Sequence, residues 1–217
     1  SGGTGVDRYD DMMPTAWEET NGTSLTTGLQ TIAGVGTAMN IEWTASADML
    51  PEGAHFGIAF APGAVSGATS NDKGVGGDSV GIGSGYDITA GTTGLMDGLN
   101  VFVGMSTIEQ AAHTGSAYNG DRSQYVAGAT YAVGSVTVGY QYSRDNTQSA
   151  AAAATSYYEN DAFGISFAVN DDLSISYGQH TSDRVLTSAA SVELEAQSLQ
   201  LSYTMGGMSI KFAESQV

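Results

Sequence analysis

Carboxylates dominate the first thirty residues of this 217-residue chain. Five acidic side chains accompany a single base, Arg8, in this stretch: Asp7, Asp10, Asp11, Glu18 and Glu19. The stretch contains Pro14 and has no sustained period-two alternation, which indicates a long connection rather than a strand. Connections this long without secondary structure are usually functional or disordered. Four apolar side chains within it favour a packed loop: Tyr9, Met12, Met13 and Trp17.

Acidic side chains in a packed loop support two kinds of chemistry. They line a narrow water-filled passage and bias the charge of the solutes that cross it, or they coordinate Ca²⁺, which takes about six to eight oxygen ligands. The candidate calcium ligands are Asp10, Asp11 and Glu18, although their spacing matches no EF-hand. We expect that the protein requires no cofactor. The alternative is a solvated acidic surface loop or a frayed terminus, and the residues alone leave these interpretations open.

Catalysis is not indicated by the remaining reactive side chains. The three histidines, His55, His113 and His180, lie in unrelated segments. No nucleophile, base and orienting group occur together as an acyl-transfer or hydrolytic site would require. We therefore predict that the protein is not an enzyme.

Composition excludes several other classes. The net charge of −17, from 23 acidic and 6 basic residues, leaves no basic patch for nucleic acid. No run approaches the roughly 18 consecutive apolar residues of a membrane helix. The absence of cysteine argues against a disulfide scaffold and thiolate metal sites. Ser1 opens a polar, Gly-rich segment rather than a signal peptide, so we expect a mature chain or one that lacks its true beginning.

The elements that would position the acidic stretch are hairpins, and Gln124–Ser143 is the clearest. Tyr125, Tyr131, Val138 and Tyr140 fall on one face, whereas Thr130, Thr137, Gly139 and Gln141 fall on the other. Successive side chains of a strand point to opposite faces, so one face is apolar and aromatic and the other small and polar. A soluble sandwich buries such an apolar face against a second sheet, whereas a transmembrane barrel turns it to lipid and its polar face to water.

Four further hairpins follow the same design. Phe163–Val169 and Leu173–Tyr177 flank an Asn-Asp-Asp turn, and Leu199–Met205 and Met208–Phe212 flank Gly206-Gly207. Two earlier hairpins are less regular. In the first, Val35, Met39, Ile41 and Trp43 are predicted to share a face; in the second, Phe102 and Ile108 break the alternation after the Leu95–Gly98 turn. Together the segments predict about ten strands between residues 31 and 217.

The connections alternate in length, which favours an up-and-down meander. Links within hairpins are short, whereas links between hairpins are long: 63–79, 109–122, 144–157 and 183–194. All long loops then lie at one end of the sheet, as in outer-membrane barrels. In such a barrel the polar face is the channel wall, and four charged or titratable side chains have its parity: Glu42, His180, Arg184 and Lys211.

Several segments resemble the general diffusion porins of alphaproteobacteria, the Rhodobacter-type trimeric porins. The similarity covers nearly the whole chain; its most specific parts are AVNDDLSISYG and SYTMGGMSIK, and DRYDDMMPTAWEE carries it near the start. The resemblance implies a barrel of about sixteen strands, three barrels per assembly, and a third external loop folded inward as a constriction. Residues 1–30 would be much of that loop, lined by Asp7, Arg8, Asp10, Asp11, Glu18 and Glu19, and such loops can carry calcium.

The resemblance also implies that strands are missing from this chain. About ten strands beginning after the third loop leave about five N-terminal strands and the last strand unaccounted for. Ten strands alone would leave two unpaired edges in lipid, which the membrane does not tolerate. We therefore expect a partial chain that forms one domain over 1–217, with a constriction loop at 1–30 and five hairpins over 31–217.

The sequence thus predicts an all-β, transmembrane, antiparallel up-and-down β-barrel of the bacterial outer membrane. Its predicted function is a water-filled channel for passive diffusion of small hydrophilic solutes and ions, with a preference for cations. Its expected partners are outer-membrane lipid and lipopolysaccharide and two further copies in a homotrimer, with no nucleic acid. The alternative is a secreted or surface-displayed acidic, β-rich adhesion or structural protein without a pore.

Overall fold

A computed structural model of the chain describes residues 3–10, 12–23, 29, 31–36, 38–62, 82–110 and 118–217. These residues contain ten strands: β1 (Ile41–Thr44), β2 (Ala54–Ala61), β3 (Ile82–Thr92), β4 (Leu99–Gln110), β5 (Arg122–Val133), β6 (Val136–Asn146), β7 (Thr155–Ala168), β8 (Leu173–Leu186), β9 (Val192–Met205) and β10 (Met208–Gln216). They form one sheet in the order of the sequence. Every neighbouring pair is antiparallel, so the predicted all-β, up-and-down architecture is confirmed.

The tight turns follow from glycines that adopt left-handed backbone conformations. Val133 pairs with Val136 across a two-residue turn in which Gly134 has a φ of 59°. Met205 pairs with Met208 across Gly206, whose φ is 58°. Two-residue hairpin loops of this kind favour glycine because it reaches positive φ without a Cβ clash.

The loop-side ends of the central strands extend further than predicted. β6 continues to Asn146 and β7 starts at Thr155, whereas β8 continues to Leu186 and β9 starts at Val192. The predicted links 144–157 and 183–194 are therefore partly strand, and the connections are 147–154 and 187–191. At these ends polar side chains, among them Glu159, Asp183 and Glu193, replace the large apolar side chains that alternate through the rest of the same strands, so the apolar pattern did not extend to them.

The first strand is shorter than predicted, and Val35 does not belong to it. β1 begins at Ile41, whereas Val35 is buried in a cluster with Ala59, Ala61 and Ile108. Met39 is 89% exposed. The predicted shared face of Val35, Met39, Ile41 and Trp43 is therefore wrong. The spacing of Val35 from Met39, Ile41 and Trp43 predicts a strand residue. In the structure its N–H donates to the Asp87 side chain of β3 instead of to a backbone partner in the sheet.

The two faces of the sheet differ sharply in chemistry. The face that we term inner carries buried polar side chains, among them Asp87, Gln124, Ser176 and Gln200. The face that we term outer carries large apolar side chains with substantial exposure, such as Tyr140 and Phe212. The predicted parity of the Gln124–Ser143 hairpin agrees with this division, because Gln141 is buried on the inner face whereas Tyr125 and Tyr140 are exposed on the outer one.

Helical structure in the part of the chain that the structure describes is confined to short turns. A 3-10 turn covers Gly5–Tyr9, a single α-helical turn covers Thr20–Thr23, and another 3-10 turn covers Ala47–Met49. Among the described residues, no helix has the length and apolar character needed to cross a membrane.

Candidate constriction site

The described residues between 3 and 36, which we term the inserted segment, lie across the inner face of the sheet. The outgoing arm passes β3 at Val6, meets β8 at Ala16 and reaches β9 at Glu18. The returning arm comes back at Ile32 and Ala33 against β4 and β5. The segment therefore crosses most of the sheet and returns close to its starting point, which we term its root.

The root is held by an apolar cluster on a face that is mostly polar. Its buried members are Val6, Tyr9, Ile32, Phe102 and Val126, and Met12 and Met13 pack against it. The rings of Tyr9 and Phe102 stack with centroids 4.7 Å apart. Phe102 and Ile108 break the alternation of β4 because both point inward, Phe102 to this cluster and Ile108 to Val35.

Two buried polar side chains bind the backbone of the root. The Asp87 carboxylate accepts the Val6 N–H at 3.0 Å and the Val35 N–H at 3.1 and 3.2 Å. The Gln124 side-chain oxygen accepts the N–H groups of Ala33 at 3.3 Å and Gly34 at 2.7 Å. Because buried backbone N–H groups need acceptors, these wall side chains supply what a sheet partner would otherwise supply.

The Tyr9 hydroxyl adds a third polar contact at the root. It donates to the Ala90 carbonyl oxygen at 3.1 Å and lies 2.8 Å from Nε2 of His55. Burial raises the pKa of Tyr9 to about 12, against a partial lowering by the nearby Arg8 guanidinium. The Tyr9 hydroxyl therefore stays protonated further into the alkaline range than that of an exposed tyrosine.

The middle of the outgoing arm approaches the sheet through glycines. A Cβ on Gly139 would lie 2.6 Å from Cδ of Pro14, and one on Gly164 would lie 2.8 Å from the Pro14 carbonyl oxygen. Gly139 and Gly164 are partners in neighbouring strands β6 and β7. Only glycine, which has no Cβ, allows two backbones to approach this closely. Gly139 therefore contacts Pro14, although its parity predicted that it faces water.

Beyond Pro14 the segment is held by polar contacts. The Ala16 N–H donates to Oγ of Ser176 at 2.7 Å. The Gln200 amide binds Glu18 twice, accepting its N–H at 3.3 Å and donating to its carbonyl oxygen at 2.7 Å. Trp17 donates from Nε1 to the Phe212 carbonyl oxygen at 3.3 Å, and Nζ of Lys211 lies 5.3 Å from the centroid of its indole ring.

The predicted constriction residues lie along the segment rather than in one cluster. Arg8 forms an ion pair with Glu42 and donates from Nε to the Gly5 carbonyl oxygen at 3.1 Å. Asp7 and Asp10 belong to the half-buried root, and Glu18 and Glu19 lie on the far arm near Gly22. Asp11 lies outside the described residues. Within the described ranges no three His, Cys, Asp or Glu side chains are grouped to hold a metal ion, and the calcium site stays a prediction.

The predicted wall residues all lie on the inner face, but at different places. Glu42 on β1 accepts the Gly5 N–H at 3.2 Å besides pairing with Arg8. His180 is buried in the middle of β8, and Arg184, near its loop-side end, donates from Nε to Oγ1 of Thr155 at 2.6 Å. Lys211 lies on β10 beside Trp17. Glu42 and Lys211 contact the inserted segment.

The residues that bind the segment most directly were not singled out from the sequence: Asp87, Gln124, Ser176 and Gln200. Asp87 carried a usable signal, because it is a carboxylate between Tyr86 and Ile88 and has the polar parity of its strand. The side-chain amides of Gln124 and Gln200 and the hydroxyl of Ser176 carried no such signal. In sequence, a glutamine that binds a loop backbone is indistinguishable from one that faces water.

Comparison with known proteins supports the fold. No protein-family model and no curated protein matches the chain. Among solved structures, Salmonella typhi OmpF in complex with daunomycin is similar with a TM-score of 0.63 at 14% sequence identity. A porin structure refined at 1.8 Å resolution is similar with a TM-score of 0.53 at 17% identity.

In both comparisons the match covers 81% of this chain, and it covers 53% of the OmpF chain and 56% of the other porin. The chain thus spans about half the length of these barrels. At such low identity the similarity concerns the fold alone. The ten-stranded sheet described above therefore has the antiparallel, up-and-down fold of a porin β-barrel.

Proposed function

We propose that the protein is an outer-membrane porin whose barrel forms a water-filled channel for passive diffusion of small hydrophilic solutes and ions. One observation carries the proposal: an acidic segment lies across the polar face of an up-and-down sheet whose opposite face is apolar. A wall with a polar inside and an apolar outside is the requirement for a channel in lipid.

The outer face supports a membrane environment. Its strands carry Phe163, Leu199, Ile210 and Phe212, which are 41%, 50%, 49% and 59% exposed. An apolar surface repeated over many strands would be an aggregation liability in water. In lipid the same surface costs nothing, and the backbone polar groups within the sheet are satisfied by the ladder.

The inserted segment supports selection by size and charge. It occupies part of the space over the inner face, and it carries Asp7, Asp10, Glu18 and Glu19. Arg8 is paired with Glu42, so these two charges largely cancel. Acidic residues outnumber basic ones in the segment, and on that charge balance we propose that the channel prefers cations.

The finer assignments belong to the same proposal. The sequence segments that resemble alphaproteobacterial porins support membership of that type, with a homotrimeric assembly in the outer membrane and contact with lipopolysaccharide. Sixteen strands, of which these ten would be part, are proposed on the same resemblance.

Planar-bilayer recording of the intact protein tests the proposal. In a potassium chloride gradient we expect stable conductance steps and a reversal potential on the cation-selective side. Replacement of Glu18 and Glu19 by glutamine should move the reversal potential toward zero. Asp161→Asn is the matched control, because it removes a carboxylate from the exposed outer side of β7.

Each outcome has a defined meaning. Failure of the purified protein to conduct would overturn the channel, and free solubility in buffer without detergent would favour the adhesion or structural alternative. Anion selectivity would contradict the proposal that the carboxylates of the inserted segment select for cations. A heat-modifiable trimer on gels would support the proposed assembly, whereas a monomer that conducts would contradict it.

A further inference from the structure

We propose that Asp87 is a positioning residue that fixes both ends of the inserted segment to the wall and thereby sets the width of the channel. The inference rests on the proposed channel function for its effect on conductance. Its structural part, the double attachment of the segment, depends only on the contacts that Asp87 makes.

One carboxylate receives the two arms of the segment. Val6 lies on the outgoing arm and Val35 on the returning arm, and both donate their backbone N–H to Asp87 at 3.0 to 3.2 Å. Asp87 has no exposed surface. Gln124, by comparison, binds the returning arm, and Gln200 binds the outgoing arm. Asp87 thus closes the segment into a loop at its root.

The backbone on both arms is shaped to reach this carboxylate. Gly5 and Gly34, which precede Val6 and Val35, adopt φ values of 61° and 51°. A Cβ on either glycine would overlap the Asp87 carboxylate. Two glycines in the left-handed region therefore present two N–H groups to one acceptor, as in a backbone anion site whose anion belongs to the protein itself.

The Asp87 carboxylate should hold the two arms more strongly than a neutral acceptor would. Hydrogen bonds to an ionised acceptor are shorter and stronger than neutral ones, and these lie in a buried setting beside the apolar cluster. Releasing either arm converts a closed loop into a tethered chain with far more conformations. Loss of Asp87 should therefore let the segment move as a unit instead of loosening one contact.

The test compares Asp87→Asn and Asp87→Ala with the parent in the intact protein. Amide hydrogen exchange in detergent should accelerate about tenfold or more at Val6 and Val35, the change expected when a charge-assisted hydrogen bond is lost. In bilayers the conductance should rise, with larger current noise, and the alanine variant should change more than the asparagine variant. Thermal unfolding of the barrel reports whether the wall remains intact.

Two further variants separate position from charge. Gly34→Ala keeps the carboxylate but places a methyl group against it at a strained φ, and it should reproduce the faster exchange and the noise. Asp161→Asn removes one negative charge from the outer side of the sheet and should leave both unchanged. If the Asp87 variants fold poorly, Gly34→Ala decides the question.

Unchanged exchange at Val6 and Val35 in the Asp87 and Gly34 variants would overturn the attachment. If the variants exchange faster at Val6 and Val35 but conduct like a conducting parent, Asp87 does not set the width of the channel. If the parent protein does not conduct, the channel and the width effect both fail, whereas the exchange measurement still decides the attachment.

Discussion

The root and the far arm of the inserted segment are held to the same sheet by different interactions. At the root, Val6, Tyr9 and Ile32 bury their side chains against Phe102 and Val126. On the far arm, residues 14–20 contact the sheet through Pro14 on two glycines, through one hydrogen bond to Ser176 and through two to Gln200. The first attachment excludes water, whereas the second is largely polar.

This difference predicts a division of mobility. Apolar burial stabilises by roughly 25 cal/mol per Å², whereas a single neutral hydrogen bond contributes about 1 kcal/mol net. Regions with few buried apolar contacts open at the lowest free energy. The root should therefore stay fixed while the far arm adjusts, and a variant at the root should cost more free energy than a variant at the arm.

The largest effect should come from Phe102→Ala. The ring is 1% exposed and stacks on Tyr9, and truncation of a buried phenylalanine costs about 3–5 kcal/mol. We expect the root to detach, with loss of amide protection at Val6. Phe163→Ala, on the exposed outer side, is the control and should leave that protection intact. Equal loss of amide protection at Val6 in both variants would show that Phe102 does not hold the root in particular.

Gly139→Ala should have the next largest effect, on the far arm. The added methyl would press on Pro14, and overpacking of this kind costs about 1–3 kcal/mol. We expect the arm to shift from β6 and β7, seen as faster exchange at Ala16, while the Val6 amide stays protected. Gly207→Ala is the matched control because no atom lies within 4 Å of a Cβ there. Loss of protection at Val6 as well would show that arm and root move together.

Gln200→Ala should weaken the arm by less. The variant removes two hydrogen bonds to the Glu18 backbone, a loss of about 1–2 kcal/mol. Exchange at Glu18 should accelerate, and exchange at Val6 should not. Gln179→Ala, an amide on the outer face of the neighbouring strand β8, serves as control. No change at Glu18 would mean that the Gln200 contacts contribute little in solution.

The smallest effect concerns the root at alkaline pH. Burial raises the pKa of Tyr9 from 10.0 to about 12 in the folded protein, so its contribution to stability is complete below pH 10 and is lost as the pH rises through 12. The urea midpoint should fall more between pH 9 and pH 11.5 in the parent than in Tyr9→Phe. Parallel declines would show that Tyr9 ionises normally.

Strand number, pairing order and facing were predictable because they depend on period-two alternation and on glycine turns. Gln124–Ser143 shows this best: it forms a hairpin, and its two faces are as predicted. The alternation failed at two kinds of place. Val35 was assigned to a strand because apolar spacing does not reveal where a chain leaves the sheet. The ends of β6–β9 were assigned to loops because polar side chains such as Glu159, Asp183 and Glu193 interrupt the apolar alternation of the outer face there.

The attachment of the segment was the least predictable part. Its carboxylates were evident from composition, but its path was not, because backbone-to-side-chain hydrogen bonds such as those of Gln200 leave no pattern in sequence. The inward phenylalanine at 102 was visible as an exception to the alternation. An apolar residue on the polar side of a barrel strand marks a place where something packs inside, and that rule would have located the root.

The three longest strands have a consequence for the shape of the entrance. β7, β8 and β9 have 14 residues each, which at about 3.3 Å per residue and a tilt of about 40° reach roughly 35 Å along the barrel axis. The apolar band of such barrels is about 25 Å tall. Their loop-side ends carry Glu159, Asp183 and Glu193 on the outer face, where hydrocarbon would not tolerate them. In the outer-membrane barrel that we propose, this side therefore extends above the bilayer with an acidic outer rim, and a cation that approaches the proposed channel meets the field of that rim first.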